Sequence, residues 1–320
     1  MTCRVIHEGQ LTESFPVRTG VRQGCLLSPF LFLLVIDWVM KTSTARKRNG
    51  IQWTMWNQLD DLDFADDIAL LSHSRQQMQG KTSDLEVTSL QVGLKIHRGK
   101  TNVMRVNTNN ADPITLGETP LEDVDKFTYL GSVVDVRGGT DADIKSRIGK
   151  ARTAFRMLRN VWTSKVISRR TKIRIFNSNI KSVLLYGAET WRTTQATTNR
   201  IQTFINSCLR QILRIHWPEK ISNKELWRRT EQQSAEEEVI RRRWRWIGHT
   251  LRKPGDNITR YALKWNPQGK RKRGRPRNTW RRDLDADTKR TGFSWAQLEN
   301  VAQDRVHWKS VVDGLCSRGS

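Results

Sequence analysis

Asp60, Asp61, Asp63, Asp66 and Asp67 place five carboxylates within eight residues. Two carboxylates about 4 Å apart repel by roughly 4 kcal/mol at an effective dielectric near 20, and a divalent cation between them turns that repulsion into attraction. Asp66 and Asp67 stand between two apolar runs, 62–65 and 68–71, a layout that predicts a β-hairpin with paired carboxylates at its tip. Hairpin turns favour Asn-Gly or Asp-Gly because those residues accept positive φ. Two branched acids there break a local rule, and such breaks concentrate at functional positions. Metal coordination is one reading of the cluster; a solvated acidic loop is the other.

A second chemically pointed stretch is Thr19-Gly20-Val21-Arg22-Gln23-Gly24-Cys25-Leu26-Leu27-Ser28-Pro29. Gly24 lets backbone approach a ligand closely, Gln23 can donate and accept, and Ser28-Pro29 opens a helix whose N-terminus favours phosphate. Two standard ion and nucleotide patterns fail. An EF-hand counted from Asp61 would put Ala65 at its fifth position and Ser72 where a bidentate glutamate belongs. The run Gly93 to Thr101 ends in Gly-Lys-Thr, but its glycine spacing is one residue too long for a phosphate-binding P-loop.

The elements around these groups predict an α+β fold. Ser28 as N-cap and Pro29 in the first turn begin a helix that is apolar all round through residue 36, hence buried. Alternating runs predict strands near 51–56, 62–71, 101–106 and 127–134, and a helix over 76–90. From residue 141 the pattern turns to long helices, at 141–162, 169–186, 199–215, 236–251, 279–289 and 295–315. In the first of these, Ile144, Ile148, Ala151, Phe155, Leu158 and Trp162 form one apolar face, with Lys145, Arg152, Arg156 and Arg159 on another.

Charge divides the chain in the same place. The 320 residues carry a net +24, yet residues 1–140 hold 15 basic and 16 acidic side chains, while 141–320 hold 41 basic and 16 acidic. An acidic, metal-suited half is followed by a strongly cationic one, and such a half attracts polyanions, nucleic acid above all. Lys270-Arg271-Lys272-Arg273-Gly274-Arg275-Pro276-Arg277 is much like an AT-hook, in which Arg273 and Arg275 would enter a narrow minor groove of duplex DNA. A nuclear import signal and a charged linker are the competing readings of that run. In Arg241-Arg242-Arg243-Trp244-Arg245-Trp246, Trp244 falls on a core face with Ile240, Ile247 and Leu251, which leaves Trp246 to stack on a base. Trp308 falls on a core face as well, and Trp280 is undecided. The four cysteines, at 3, 25, 208 and 316, show neither disulfide nor zinc spacing. An intracellular location, nuclear and cytoplasmic, fits them. The longest apolar stretch, 30–36, is too short to cross a bilayer.

Arg22-Gln23-Gly24 with its following helix, and Phe64-Ala65-Asp66-Asp67, together resemble the palm of reverse transcriptases, specifically those of non-LTR, LINE-type retrotransposons of the RTE-like kind. Gly93-Leu94-Lys95-Ile96-His97-Arg98-Gly99-Lys100-Thr101 and Phe127-Thr128-Tyr129-Leu130-Gly131-Ser132 resemble further palm segments in the same order, and the likeness continues through 177–191 to the C-terminus. It implies a partial palm over 1–140, an antiparallel sheet with helices, then an all-helical thumb over 141–192 and a basic helical region over 193–320. By this resemblance Asp66 and Asp67 are catalytic and hold Mg²⁺, and Lys100 serves the triphosphate. Gln23, Gly24 and Phe64 lie at the nucleotide, and Tyr129, Leu130 and Gly131 grip the primer. Lys145, Arg152, Arg156, Arg159, Trp246, Arg273 and Arg275 hold nucleic acid. The partners implied are an RNA template and a DNA primer. Only 21 residues precede Arg22, with Glu8 and Glu13 the acids among them. The family's further metal-binding aspartate, its fingers and its endonuclease are therefore expected to be missing, as in a truncated copy. A non-catalytic nucleic-acid-binding remnant is the alternative; an RNA-binding maturation or splicing factor has no dedicated feature here.

Overall fold

The computed structural model describes residues 2–16, 24–44, 49–108, 110–265 and 279–317. They form two compact units, Met1–Leu130 and Gly131–Ser320. Helices and small two-stranded sheets make a mixed fold, as the α+β expectation holds. No described helix is long and apolar enough to cross a membrane.

In the first unit, helices Ser28–Thr44 and Arg75–Gln91 pack together around Ile36, Val39, Met40 and Leu85, joined by Ile68 and Leu70 from the acidic hairpin. Ser74 caps the second helix by accepting from the Gln77 amide. A smaller core of Ile114, Leu116 and Leu121 lies beside Met78 of that helix. Around these sit short pairings, among them Ile51–Gln52 with Gln58–Leu59 and a parallel pair, Asn102–Val103 with Glu122–Asp123. The strand expected over 51–56 stops at Gln52, where Trp53 and Thr54 both donate to the Asn57 carbonyl in a turn. The helix expected to be buried all round is not. Phe30, Leu31, Leu33, Leu34 and Trp38 are exposed, because the helix finds its cover on the side of Ile36, Val39 and Met40.

The second unit is nearly all helix with two adjoining cores. One runs from Ile144 to Val239 and includes Phe176, Leu184, Trp191 and Leu209; the other gathers Ile240, Trp244, Ile247, Leu284, Trp308 and Val312. Helix Ala235–Leu251 serves both, with Val239 facing one and Ile240 the other. Helices on either side of residue 192 thus share a single core. Trp308 lies against Gly248, where an added Cβ would come within 2.2 Å of the indole nitrogen. Trp308 Nε1 donates to the Trp244 carbonyl, so both tryptophans are structural. Trp280, half-buried, donates to the Glu189 carbonyl.

Of three expected long helices, two are broken and one runs on through a π-helical segment. The first ends at Met157, and a short helix, Arg159–Thr163, follows; Phe155 stacks on Trp162 at 4.9 Å and accepts its indole proton. The second is Arg169–Ile175, a π-helical segment Phe176–Lys181 and a last turn Ser182–Leu184. The third divides into Trp295–Val301 and Arg305–Ser317 because the Asp304 carboxylate accepts from the Val306 and His307 amides and starts a new helix. Helices Asn223–Thr230 and Ile258–Lys264 were not anticipated.

Candidate functional site

Strands Asp61–Phe64 and Asp67–Leu70 pair antiparallel in the register Asp61 to Leu70, Leu62 to Ala69, Asp63 to Ile68 and Phe64 to Asp67. The turn is therefore Ala65-Asp66. Ala65 has φ +56° and Asp66 is not left-handed, the pattern of a type II′ turn with alanine where glycine is usual. This corrects the expectation that both acids occupy the tip: Asp66 is in the turn, while Asp67 opens the returning strand opposite Phe64. The reason is register. Ile68 and Leu70 must face the core, and slipping the strand by one residue would turn both away from it. Asp66, Asp67 and Phe64 are all exposed.

The base of the hairpin is clamped by a residue the sequence reading passed over. Lys81, almost fully buried on helix Arg75–Gln91, donates to the carbonyls of Asp60 (2.9 Å) and Leu71 (2.8 Å) and ion-pairs with the Asp60 carboxylate at 2.5 Å. The signal was present: Lys81 stands between Met78 and Leu85 at helical spacing, on the apolar face. Burial pushes the Asp61 carboxyl above its usual range, and Asp63 and Asp60 add to this while Lys81 opposes it.

Tyr129, at the end of strand Lys126–Tyr129, reaches the same hairpin. Its hydroxyl donates to the Leu62 carbonyl at 3.0 Å. Its phenol is pushed above the usual value first by burial and then by Asp67, Asp63 and Asp61. Two segments 67 residues apart thus meet at one place. Leu130 (φ +48°) and Gly131 (φ +79°) follow in consecutive left-handed conformations, as a two-residue turn of type I′ requires.

The other expected residues are more scattered. Gly24 is exposed with φ +85°, a conformation that favours glycine. Gln23 lies outside the described residues, as do Arg273 and Arg275. Lys100 is exposed on a single 3₁₀ turn, Arg98–Lys100, and no described hydrogen bond or ion pair links it to the hairpin carboxylates. In the second unit Lys145, Arg152 and Arg156 are exposed along helix Asp141–Met157, and Arg159 is exposed at the start of the next helix. Trp246 is half-buried and meets Trp280 edge-on, with ring centroids 6.1 Å apart. The neighbouring arginine run is largely engaged. Arg243 is buried against Asp287 (3.3 Å) and the Trp191 carbonyl, Arg241 pairs with Asp313, and Arg242 pairs with Glu238. Arg147, unremarked in the sequence, is also buried. It donates to the Gly131 carbonyl at 2.7 Å and lies over the Tyr186 ring at 4.3 Å.

Among the described residues no group of three or more His, Cys, Asp or Glu is arranged to hold a metal ion. What the hairpin offers is two consecutive carboxylates without a described ion pair, hard oxygen donors of the type that suits Mg²⁺. They fit as a share of such an ion's shell.

Residues 1–134 match the family described as reverse transcriptase (RNA-dependent DNA polymerase), and residues 154–186 match a domain of unknown function (DUF6451). More particularly, a putative uncharacterized transposon-derived protein of Caenorhabditis elegans is 26% identical over 270 residues, 79% of this chain and 95% of that protein. The retrovirus-related Pol polyprotein from the type-1 retrotransposable element R2 of Nasonia vitripennis is 32% identical over 134 residues, 37% of this chain and 12% of the polyprotein. The likeness to reverse transcriptases thus covers residues 1–134, and the likeness over most of the chain is to a transposon-derived protein.

Proposed function

We propose that this chain is the C-terminal part of an RNA-directed DNA polymerase of an RTE-like retrotransposon, adding deoxynucleotides to a primer on an RNA template, inside the cell and with access to the nucleus. Its palm would lie in 1–140, its thumb in 141–192 and a basic nucleic-acid-binding region in 193–320. The observation that carries this reading is the type II′ turn that puts Asp66 at the tip of an exposed hairpin and Asp67 next to it.

In nucleotidyl transfer the primer 3′-hydroxyl attacks the α-phosphorus and pyrophosphate leaves. Bound Mg²⁺ would lower the energy of negative charge on the attacking and departing oxygens, and Asp66 and Asp67 are the residues to hold it. The ammonium of Lys100 offsets charge on, or protonates, the departing pyrophosphate. Exposed Phe64, with Gln23 and Gly24, borders the incoming nucleotide. Tyr129 ties the hairpin to the segment that grips the primer, through its hydrogen bond to Leu62. Lys145, Arg152, Arg156 and Arg159 neutralise backbone phosphates, while Arg273 and Arg275 add contact with duplex DNA.

A second reading, a non-catalytic nucleic-acid-binding remnant, is favoured by one observation: no third acid joins Asp66 and Asp67 among the described residues. Primer extension on an RNA template separates the two. The first reading predicts extension that requires Mg²⁺ and disappears in Asp66→Asn; binding of template–primer without extension establishes the second. In both, with about 6 to 10 phosphates contacted, affinity falls roughly 10³- to 10⁵-fold from about 50 to 200 mM salt. A flat salt response contradicts both.

A further inference from the structure

The helical unit contains a cationic hollow of about 440 Å³, far along the chain from the acidic hairpin, lined by Lys165, Arg169, Lys172, Arg214, Arg229 and Glu219. Local structure explains how these groups converge. Helix Arg159–Thr163 ends at Ser164, helix Arg169–Ile175 begins just after it, and helix Gln195–Leu213 ends in Arg214 with φ +59°. Lys172 Nζ donates to the carbonyls of Trp162 (2.9 Å) and Ser164 (2.6 Å), and the Arg214 guanidinium donates to those of Thr163 and Ser164. Two full positive charges therefore converge on one helix C-terminus, whose carbonyls carry only partial negative charge.

The hollow's single acid does not neutralise them. Glu219 lies 3.9 Å from Arg229, which pairs more closely with Glu225 at 2.8 Å. Lys165, Arg169, Lys172 and Arg214 have no carboxylate partner among the described residues. Lys172 is 5% exposed, and its ammonium, held by two carbonyls, has no carboxylate counter-ion among the described residues. Burial first, and Arg214 second, pull its pKa below the ordinary lysine value, a strain that a bound anion would relieve. Trp217, 85% exposed, lies in the loop between two lining residues, Ile215 and Glu219, and offers a ring for a base to stack on.

We propose that this hollow is a binding site for the terminal phosphate of a nucleic-acid strand, with the first base of that strand stacked on Trp217. A terminal phosphomonoester, carrying up to two negative charges and three free oxygens, answers four cations without carboxylate partners in a concave site better than a singly charged internal phosphodiester does. The proposal rests on the reading of the chain as a nucleic-acid-binding protein, and it adds a strand-end site to that reading.

The test is fluorescence anisotropy of the full chain with a 3′-labelled single-stranded oligonucleotide, with and without a 5′-phosphate. The phosphorylated strand is expected to bind about ten- to a hundredfold more tightly, the range for hydrogen bonds to charged groups. The exposed double variant Lys165→Gln/Arg169→Gln is expected to lose that preference and keep the affinity for the unphosphorylated strand; Trp217→Ala is expected to weaken binding of both strands severalfold. Equal affinity for the two strands in the wild type overturns the strand-end site and leaves general nucleic-acid binding standing. Failure of both strands to bind overturns the nucleic-acid reading and this site with it. A competition arm separates the two sources of phosphate. If inorganic pyrophosphate erases the preference as effectively as a 5′-phosphorylated dinucleotide, the hollow takes the free anion and the strand-end assignment is overturned.

Discussion

The two units treat charge and apolar surface in opposite ways. In the first, five aspartates crowd one hairpin with Lys81 as their buried cation, and Phe30, Leu31, Leu33, Leu34 and Trp38 lie exposed on a helix. In the second, Trp191, Trp244, Phe176 and many aliphatic side chains are fully inside while Val166 and Trp217 are exposed, and several cations are buried with the core. Arg147, Lys181 and Arg243 each pair with a carboxylate, at 3.7, 3.2 and 3.3 Å. Burying an ion without a partner costs several kcal/mol, so these pairings account for part of the unit's basic composition. Lys145, Arg152 and Arg156 on helix Asp141–Met157, and Lys165, Arg169, Lys172 and Arg214 around the hollow, have no carboxylate partner among the described residues. The residues that maintain the helical scaffold are thereby distinguished from those available to a polyanion.

The largest effect should come from the scaffold. Trp244→Ala removes an indole that is fully buried, stacked near Trp295 and hydrogen-bonded to Asp287. A loss of about 3–5 kcal/mol is expected, read by denaturant unfolding. Hydrogen exchange should rise throughout 235–265 and 279–317 while the 61–70 hairpin keeps its protection. Simultaneous loss of protection in the hairpin would show that the variant's effect is not confined to the helical unit.

Next is Lys81→Met, which removes the ion pair with the Asp60 carboxylate and the hydrogen bonds from Lys81 to the Asp60 and Leu71 carbonyls, leaving the Leu71 amide as donor to the former. Breaking a fully buried pair costs about 3–5 kcal/mol, and because Asp60 is partly solvated about 2 kcal/mol is the better figure for this site. Exchange of the Leu71 amide, which donates to the Asp60 carbonyl at 2.8 Å, should accelerate, with the helical unit unaffected. An unchanged Leu71 rate would show that the clamp is dispensable.

These two variants also mark what was legible in the sequence. Trp244 could be placed in a core because its neighbours at helical spacing are apolar, and the hairpin could be found because residues flanking Asp66 and Asp67 alternate. The placement of the turn could not, since it depends on which way Ile68 and Leu70 face once helices 28–44 and 75–91 have packed. Lys81 meets Asp60 across 21 residues, and the cationic hollow joins 164 to 229, meetings that no local pattern encodes. The break at Leu158 was hidden because Phe155, Leu158 and Trp162 continue the helical spacing unchanged. The apolar helix after Ser28 taught the opposite lesson: composition alone predicted burial, while its packing covers only one side.

A smaller effect is expected at Tyr129. Tyr129→Phe deletes the hydroxyl's hydrogen bond to the Leu62 carbonyl and should cost about 1 kcal/mol. No change in stability would mean the link between hairpin and neighbouring strand contributes nothing. Smallest in stability, within about 0.5 kcal/mol, should be Arg152→Gln/Arg156→Gln/Arg159→Gln, because all three side chains are exposed. Nucleic-acid affinity should nonetheless fall, and the slope of log affinity against log salt should shrink by roughly 1 for each phosphate no longer neutralised. An unaltered slope would return these cations to a solvated surface.

Whether Asp66 and Asp67 hold a divalent cation is measured directly by localised backbone cleavage by Fe²⁺ substituted for Mg²⁺, mapped by mass spectrometry on the full chain. Cuts are expected only in the neighbourhood of residues 61–70, suppressed by excess Mg²⁺ and absent in Asp66→Asn/Asp67→Asn. Cleavage elsewhere only, or cuts at the hairpin that persist in the double variant, would contradict it.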